Sequence, residues 1–300
     1  MFAKGAAVAA LFGLAGCAAT EFQSGQSAIR PATVAEHARA CGGKEGWSDP
    51  APPVRIYGNL YAVGSCGISV LLLAGTTGHF LIDGGPANIA PQVIANIERL
   101  GFAPADVRWI VSSHEHFDHA AALADLQRAT GAKVAARAPA ARVLETGKAD
   151  ADDPQADRLP GLAPLRVDRI IGDGGLVVVG NLRLTAHATP GHSPGSTSWT
   201  FDACEARTCR KVAYIDSVTS ISADAYRFTD HPGYVTAFRN SLDRIATLPC
   251  EILVTPHPSA SALFERLAGQ RPLVDPQGCA RYAKAGGERL EQRLASEAAK

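Results

Sequence analysis

Apolar positions along the chain fall into short runs whose period changes. Val54–Tyr57, Leu60–Val63, Ile68–Leu73 and His79–Asp83 are apolar or alternating stretches separated by Gly-bearing turns, which predicts four successive strands. Asp83-Gly84-Gly85-Pro86 then stops the sheet. Val93, Ile94, Ile97 and Leu100 recur at helical spacing ahead of Gly101, so a helix is predicted over 90–100. A strand follows at Val107–Val111, a helix from His119 to Thr130 ended by Gly131, and a strand at Lys133–Ala136. The chain therefore turns from strand to helix at residues 112–119. Residues 145–166 hold aspartates, three prolines and no sustained period, the mark of a long surface loop of the kind that covers a site. Strand patterns return at Leu176–Val179, Leu182–His187, Thr197–Phe201 and Val212–Ile215. A helix over Tyr234–Leu248, a strand over Glu251–Thr255 and helices over 260–268 and 280–298 complete the reading. No sequence repeat is visible, yet each half runs strands first and strand-helix units second, which suggests two similar half-structures packed together.

Composition narrows the class. Lysine plus arginine (29) cancels aspartate plus glutamate (29), so no net field favours a phosphate backbone and nucleic-acid binding is disfavoured. Hydrophobic residues reach 46% without any apolar run near the 18 or more that a spanning helix needs, which leaves a soluble α/β chain. Residues 1–16 combine a short charged start, an apolar stretch from Gly5 to Leu14 and small residues, the layout of a secretory signal. The ending Leu14-Ala15-Gly16-Cys17 resembles a bacterial lipobox, which implies cleavage before Cys17 and a lipid on its sulfur. Residues 17–50 then read as a tether and N-terminal arm, with one folded domain over 51–300. Of seven cysteines, six would enter an oxidising compartment, the bacterial periplasm, where three disulfides are the expected state.

The chemistry concentrates in His114-Glu115-His116-Phe117-Asp118-His119. At this chain's histidine and aspartate frequencies, a His-x-His-x-Asp-His run arises by chance roughly once in two thousand such chains, so chance is a poor explanation. Imidazoles two residues apart do not share a helix face, but at a strand end they can converge on one cation while the next two residues turn toward a second. Two open zinc ions need about six protein ligands, and the motif supplies four. His192, in a Gly/Pro turn after a strand, and His257, just beyond another, are the candidates for the remaining two. His37, His79, His187 and His231 lack such a setting and are expected in surface or capping roles. Gly191-His192-Ser193-Pro194-Gly195 imitates a nucleophile elbow, but the residue after its serine is a proline, which has no N–H to offer an oxyanion.

The His-x-His-x-Asp-His run at 114–119, the Thr-Pro-Gly-His turn at 189–192 and the late His257 resemble the metallo-β-lactamase superfamily, and cover its catalytic pattern over residues 54–275. The resemblance implies a four-layer αββα sandwich around a dinuclear zinc site. Tyr214-Ile215-Asp216-Ser217-Val218-Thr219 and Thr255-Pro256-His257-Pro258-Ser259 are similar to the third subclass of class B β-lactamases, subclass B3. Carried over by position, His114, His116 and His192 would hold the first zinc, and Asp118, His119 and His257 the second. Asp118 would orient the attacking hydroxide, and Ser217 and Thr219 would line the pocket for the substrate carboxylate. The family's cysteine pattern implies Cys250 with Cys279, Cys204 with Cys209 and Cys41 with Cys66. The resemblance thus implies a monomeric enzyme opening small-molecule β-lactams and conferring antibiotic resistance. Glyoxalase II-like thioesterases and lactonases share the first motif, and in the former an aspartate bridges both metals, a part open to Asp216.

Overall fold

The computed structural model describes residues 1–2 and 30–299. Cys17 and the signal-like segment before it lie outside the described residues.

Two sheets form the centre. The first is seven-stranded, in the order β1 (Val54–Tyr57), β2 (Leu60–Ala62), β3 (Leu71–Ala74), β4 (His79–Ile82), β5 (Val107–Val111), β6 (Lys133–Ala136) and β7 (Arg169–Ile170). Its first four strands pair antiparallel and its last four parallel. The second sheet runs β12 (Ile252–Val254), β11 (Thr208–Tyr214), β10 (Thr197–Glu205), β9 (Leu182–Ala188) and β8 (Leu176–Val179), antiparallel except where β12 joins β11. Each half thus begins with meandering strands and ends with parallel ones.

Alternation along the strands decides the layers. Leu71, Leu73, Phe80 and Ile82 point inward to meet Leu184, Trp199, Phe201, Val212 and Tyr214 of the second sheet. Leu72 and Leu81, one residue out of phase, face the opposite way onto α2 (Ala90–Arg99), α4 (Leu123–Thr130) and α5 (Ala138–Thr146). Ala213, Ile215 and Leu253 do the same for the second sheet, against α6 (Pro232–Thr247) and α8 (Gly278–Ala298). The result is the αββα sandwich expected from the sequence. Strands covered on both faces read as unbroken apolar runs, which is why β3 and β4 show so little alternation. No helix among the described residues is long and apolar enough to cross a membrane.

Several local expectations need correction. The helix expected from 119 to 130 is two pieces, α3 (Phe117–Ala120) and α4, because the Ala122 N–H leaves the helical ladder to donate to Gly85 O at 3.0 Å. The arm expected to lack periodicity contains α1 (Val34–Cys41), started by a Thr33/Glu36 capping box. Ala138–Thr146 is helical although its apolar face is mostly alanine, too weak a signal to read. β10 and β11 extend further than predicted, closed at their tip by Cys204–Cys209. Cys41–Cys66 and Cys250–Cys279 are also bonded. His37 and His79 are not surface residues: His37 packs its ring 4.2 Å from Phe264 of α7 (Leu263–Leu267), and His79 accepts the Gly75 N–H at 3.2 Å inside the core.

Candidate metal centre

The site residues all leave strand ends. His114 to His119 follow β5, His192 sits in the turn between β9 and β10, Asp216 follows β11, and His257 follows β12. Strand ends are where a rigid sheet can aim loop side chains at a common point. Asp83, just past β4, pins this end of the molecule. Its carboxylate accepts the Ser113 N–H at 2.5 Å, the Ser113 hydroxyl at 2.7 Å and the Tyr214 hydroxyl at 2.6 Å. It does so from a left-handed backbone conformation, φ 66°, which aspartate adopts more readily than most non-glycine residues.

Six predicted ligands come together in two adjoining sets. His114, His116 and His192 each present a ring nitrogen within 4.8 Å of the others. His114, Asp118 and His119 form a second such group, and His257 completes it: its Nε2 lies 3.3 Å from His119 Nε2 and 3.3 Å from Asp118 Oδ2. His119 Nε2 is 3.1 Å from the same oxygen. Five of the six are buried, and only the His257 side chain, 30% exposed, opens to solvent.

The outer ring nitrogens of the first set are held by the protein. Asp216 Oδ1 is 2.8 Å from His114 Nδ1, Asp153 Oδ2 is 2.9 Å from His116 Nε2, and Thr219 Oγ1 is 2.8 Å from His192 Nδ1. Such partners fix the tautomer and leave the other nitrogen free for a cation. His114 Nε2 shows the consequence, being buried with no hydrogen-bond partner. Burial, and then the neighbouring imidazoles, push His114 and His192 well below the ordinary histidine pKa, so both offer lone pairs at neutral pH. Burial opposes charge on His116 too, but the Asp153 carboxylate outweighs it and raises its pKa. In the second set, burial alone would depress His119 and lift Asp118. Their mutual attraction, with Asp83 behind His119, instead raises His119 to about 10 and keeps Asp118 ionised, well below the usual carboxylate range. An unpartnered buried nitrogen, two imidazoles kept neutral and one firmly anionic carboxylate make a donor set that fits metal ions, which would take the place of the protons on His116 and His119.

A family model described as the metallo-beta-lactamase superfamily matches residues 63–205. The crystal structure of the metallo-β-lactamase MIM-1 from Novosphingobium pentaromativorans is 56% identical, with a TM-score of 0.86, over 88% of this chain and 98% of that one. The chain belongs to the metallo-β-lactamase superfamily. It groups there with subclass B3: MEM-A1, a subclass B3 metallo-β-lactamase from a soil metagenome library, is 39% identical with a TM-score of 0.82, over 85% of this chain and 99% of that one. A probable metallo-hydrolase of Burkholderia pseudomallei (strain 1710b) is 28% identical over 173 residues, 52% of this chain and 50% of its own length. The chain spans about half the length of the curated relatives it matches.

Within this metallo-β-lactamase fold the other named residues fall as follows. Ser217 is buried directly after Asp216, and half-exposed Thr219 spends its hydroxyl and its carbonyl on His192. Asp216 lies on the outer nitrogen of His114, not among the inward donors. Ser193 donates its hydroxyl to Glu115 Oε2 at 2.9 Å, without an imidazole partner, so it is no nucleophile. Sequence reasoning missed Asp153, Glu115, Asp83 and Trp47. Glu115 ties the two ligand-bearing loops, accepting also the Gly195 N–H at 2.8 Å. Trp47, in the arm, sets its ring 5.5 Å from Phe117 and 5.9 Å from His257, an apolar wall beside the open face. The readable signals were faint: a lone tryptophan in a polar arm, and an aspartate directly after a buried strand.

Proposed function

We propose that the protein is a secreted zinc-dependent β-lactamase that hydrolyses the lactam amide and so confers resistance. The placement of Asp216 carries this reading. A glyoxalase II-like thioesterase needs that carboxylate between the two ligand sets, whereas here it orients His114 and leaves three donors on each side. Zinc in such a site supplies hydroxide near pH 7 and an electrophile for a carbonyl oxygen.

The chain's own residues do the rest. Asp118, ionised at the junction of the two sets, accepts a hydrogen bond from the attacking water and orients it. In this reading Ser217 meets the substrate carboxylate, and Thr219 holds His192. Trp47 and Phe117 cover an apolar portion of the substrate and displace water from that side. No acyl-enzyme forms, because Ser193 is committed to Glu115 and Pro194 has no N–H.

The periplasm is the proposed location, with a lipid on Cys17 as anchor and a monomeric catalytic domain. Intact-mass measurement and membrane fractionation of the expressed protein test that part. The activity is tested by hydrolysis of a chromogenic cephalosporin before and after chelation. Activity should vanish on metal removal and return with zinc; hydrolysis that survives chelation overturns the mechanism.

A further inference from the structure

Behind the site, a cavity of about 680 Å³ opens between α8 and the segment that follows His257. Its lining includes Thr219, which holds His192, and Ser259, two residues past His257. The cavity therefore shares Thr219 with the support of the first set and Ser259 with the segment that carries His257. Its remaining polar lining is mainly basic: Arg266, Arg271, Arg281 and Arg289 stand against a single acid, Asp275. Asp275 is paired with Arg281. Arg266 is buried and directs its N–H groups at the carbonyls of Leu253, Leu273, Ser261 and Pro272, which accept hydrogen bonds without cancelling its charge. Arg271 and Arg289 make no ion pair among the described residues. A concave wall with three uncompensated guanidinium groups concentrates positive potential close to the residues that support and follow the ligands.

We propose that this cavity is an anion subsite that takes a second carboxylate of the substrate, one additional to the carboxylate met at Ser217. Arg271 and Arg289 supply the free forks, which match a carboxylate's two oxygens. Arg266 adds a fixed charge beneath them, while its own N–H groups stay on the backbone. The ligand class is a β-lactam whose variable substituent is anionic, so the inference rests on the hydrolase reading and adds a preference to it.

Two cephalosporins that differ only in a neutral or carboxylate-bearing ring substituent provide the test. In Arg271→Ala/Arg289→Ala, KM for the carboxylate-bearing substrate should rise about fivefold, the scale of two exposed ion pairs. Both kcat values and the neutral substrate's KM should stay within about twofold, and raising the salt should erase the wild-type preference. Arg289→Glu should exceed the effect of Arg289→Ala, which a lost packing contact would not produce. Equal changes for both substrates, or no change for either, overturn the subsite. If the wild-type protein hydrolyses neither substrate, the hydrolase reading falls, and the cavity is judged by the thermal shift that inorganic phosphate gives the zinc-loaded protein. A shift smaller in the double variant than in the wild type supports the subsite, since binding at the metals is common to both; equal shifts overturn it.

Discussion

The two ligand sets share an edge but are built differently. In the first, every outer ring nitrogen has a partner within 3 Å, supplied by Asp216, Asp153 and Thr219, and all three histidines are buried. In the second, the ligands lean on one another. His119 Nδ1 is 3.4 Å from Asp83 without forming a hydrogen bond, and half-buried His257 has no side-chain partner on its outer nitrogen among the described residues. Partnered ligands lose little freedom when a cation binds, whereas unpartnered ones must be ordered by the cation itself. The first set is thus the preformed one, and the second, the one with an exposed ligand, should give up a metal more readily.

Asp118→Asn attacks the junction of the two. It should lower cephalosporin hydrolysis by about 100-fold or more, the scale of a misplaced attacking group, with near-ultraviolet circular dichroism unchanged. A loss below tenfold would remove Asp118 from the chemistry.

The asymmetry itself is tested by Asp153→Asn, which leaves all six ligands in place. Affinity at the first set should fall about 10–100-fold in competition with a metal indicator. His257→Ala should instead empty the second set and spare the first, while His114→Ala does the reverse. Loss of the same single metal from both histidine variants would refute the partition.

Beneath the second set the support is covalent and distant. Cys250–Cys279 ties the start of the β12 segment to α8, and its removal should cost about 3–4 kcal/mol in denaturant unfolding for a loop of this length. If the comparison holds, the second metal should also weaken in that variant more than the first.

The arm that brings Trp47 to the open side is fastened in part by His37, whose burial pushes its pKa down to about 4. Between its ordinary value near 6.5 and 4, the unfolded chain binds the proton and the folded chain does not. Stability should therefore fall as pH drops through that window, by up to about 3 kcal/mol, and level off below it. His37→Phe should flatten this part of the profile. The smallest effect expected is that of Ser217→Ala, a threefold to tenfold rise in KM from one lost hydrogen bond of about 0.5–1.5 kcal/mol, with both metals retained.

How far the molecule could be read from its sequence depends on how local each signal is. Periods of two and near four located most strands and the long helices, because burial of one face is written into consecutive residues. They failed at Ala138–Thr146, whose alanines mark no face, and at Val34–Cys41, whose start is declared by a cap. The ligand histidines were legible for a related reason: four donors crowd six positions, and the other two sit in turns directly after strands.

What the sequence by itself determined is therefore which six side chains converge and the layered α/β architecture that presents them. Tertiary structure alone decided which groups stand behind those donors. Asp153 reaches His116 across 37 residues, Asp216 reaches His114 across 102, and Arg266 sits under a cavity formed by two separate segments. A carboxylate or guanidinium on a loop carries no period, and its pKa and partner follow from burial and distance, quantities that exist only once the sheets have packed.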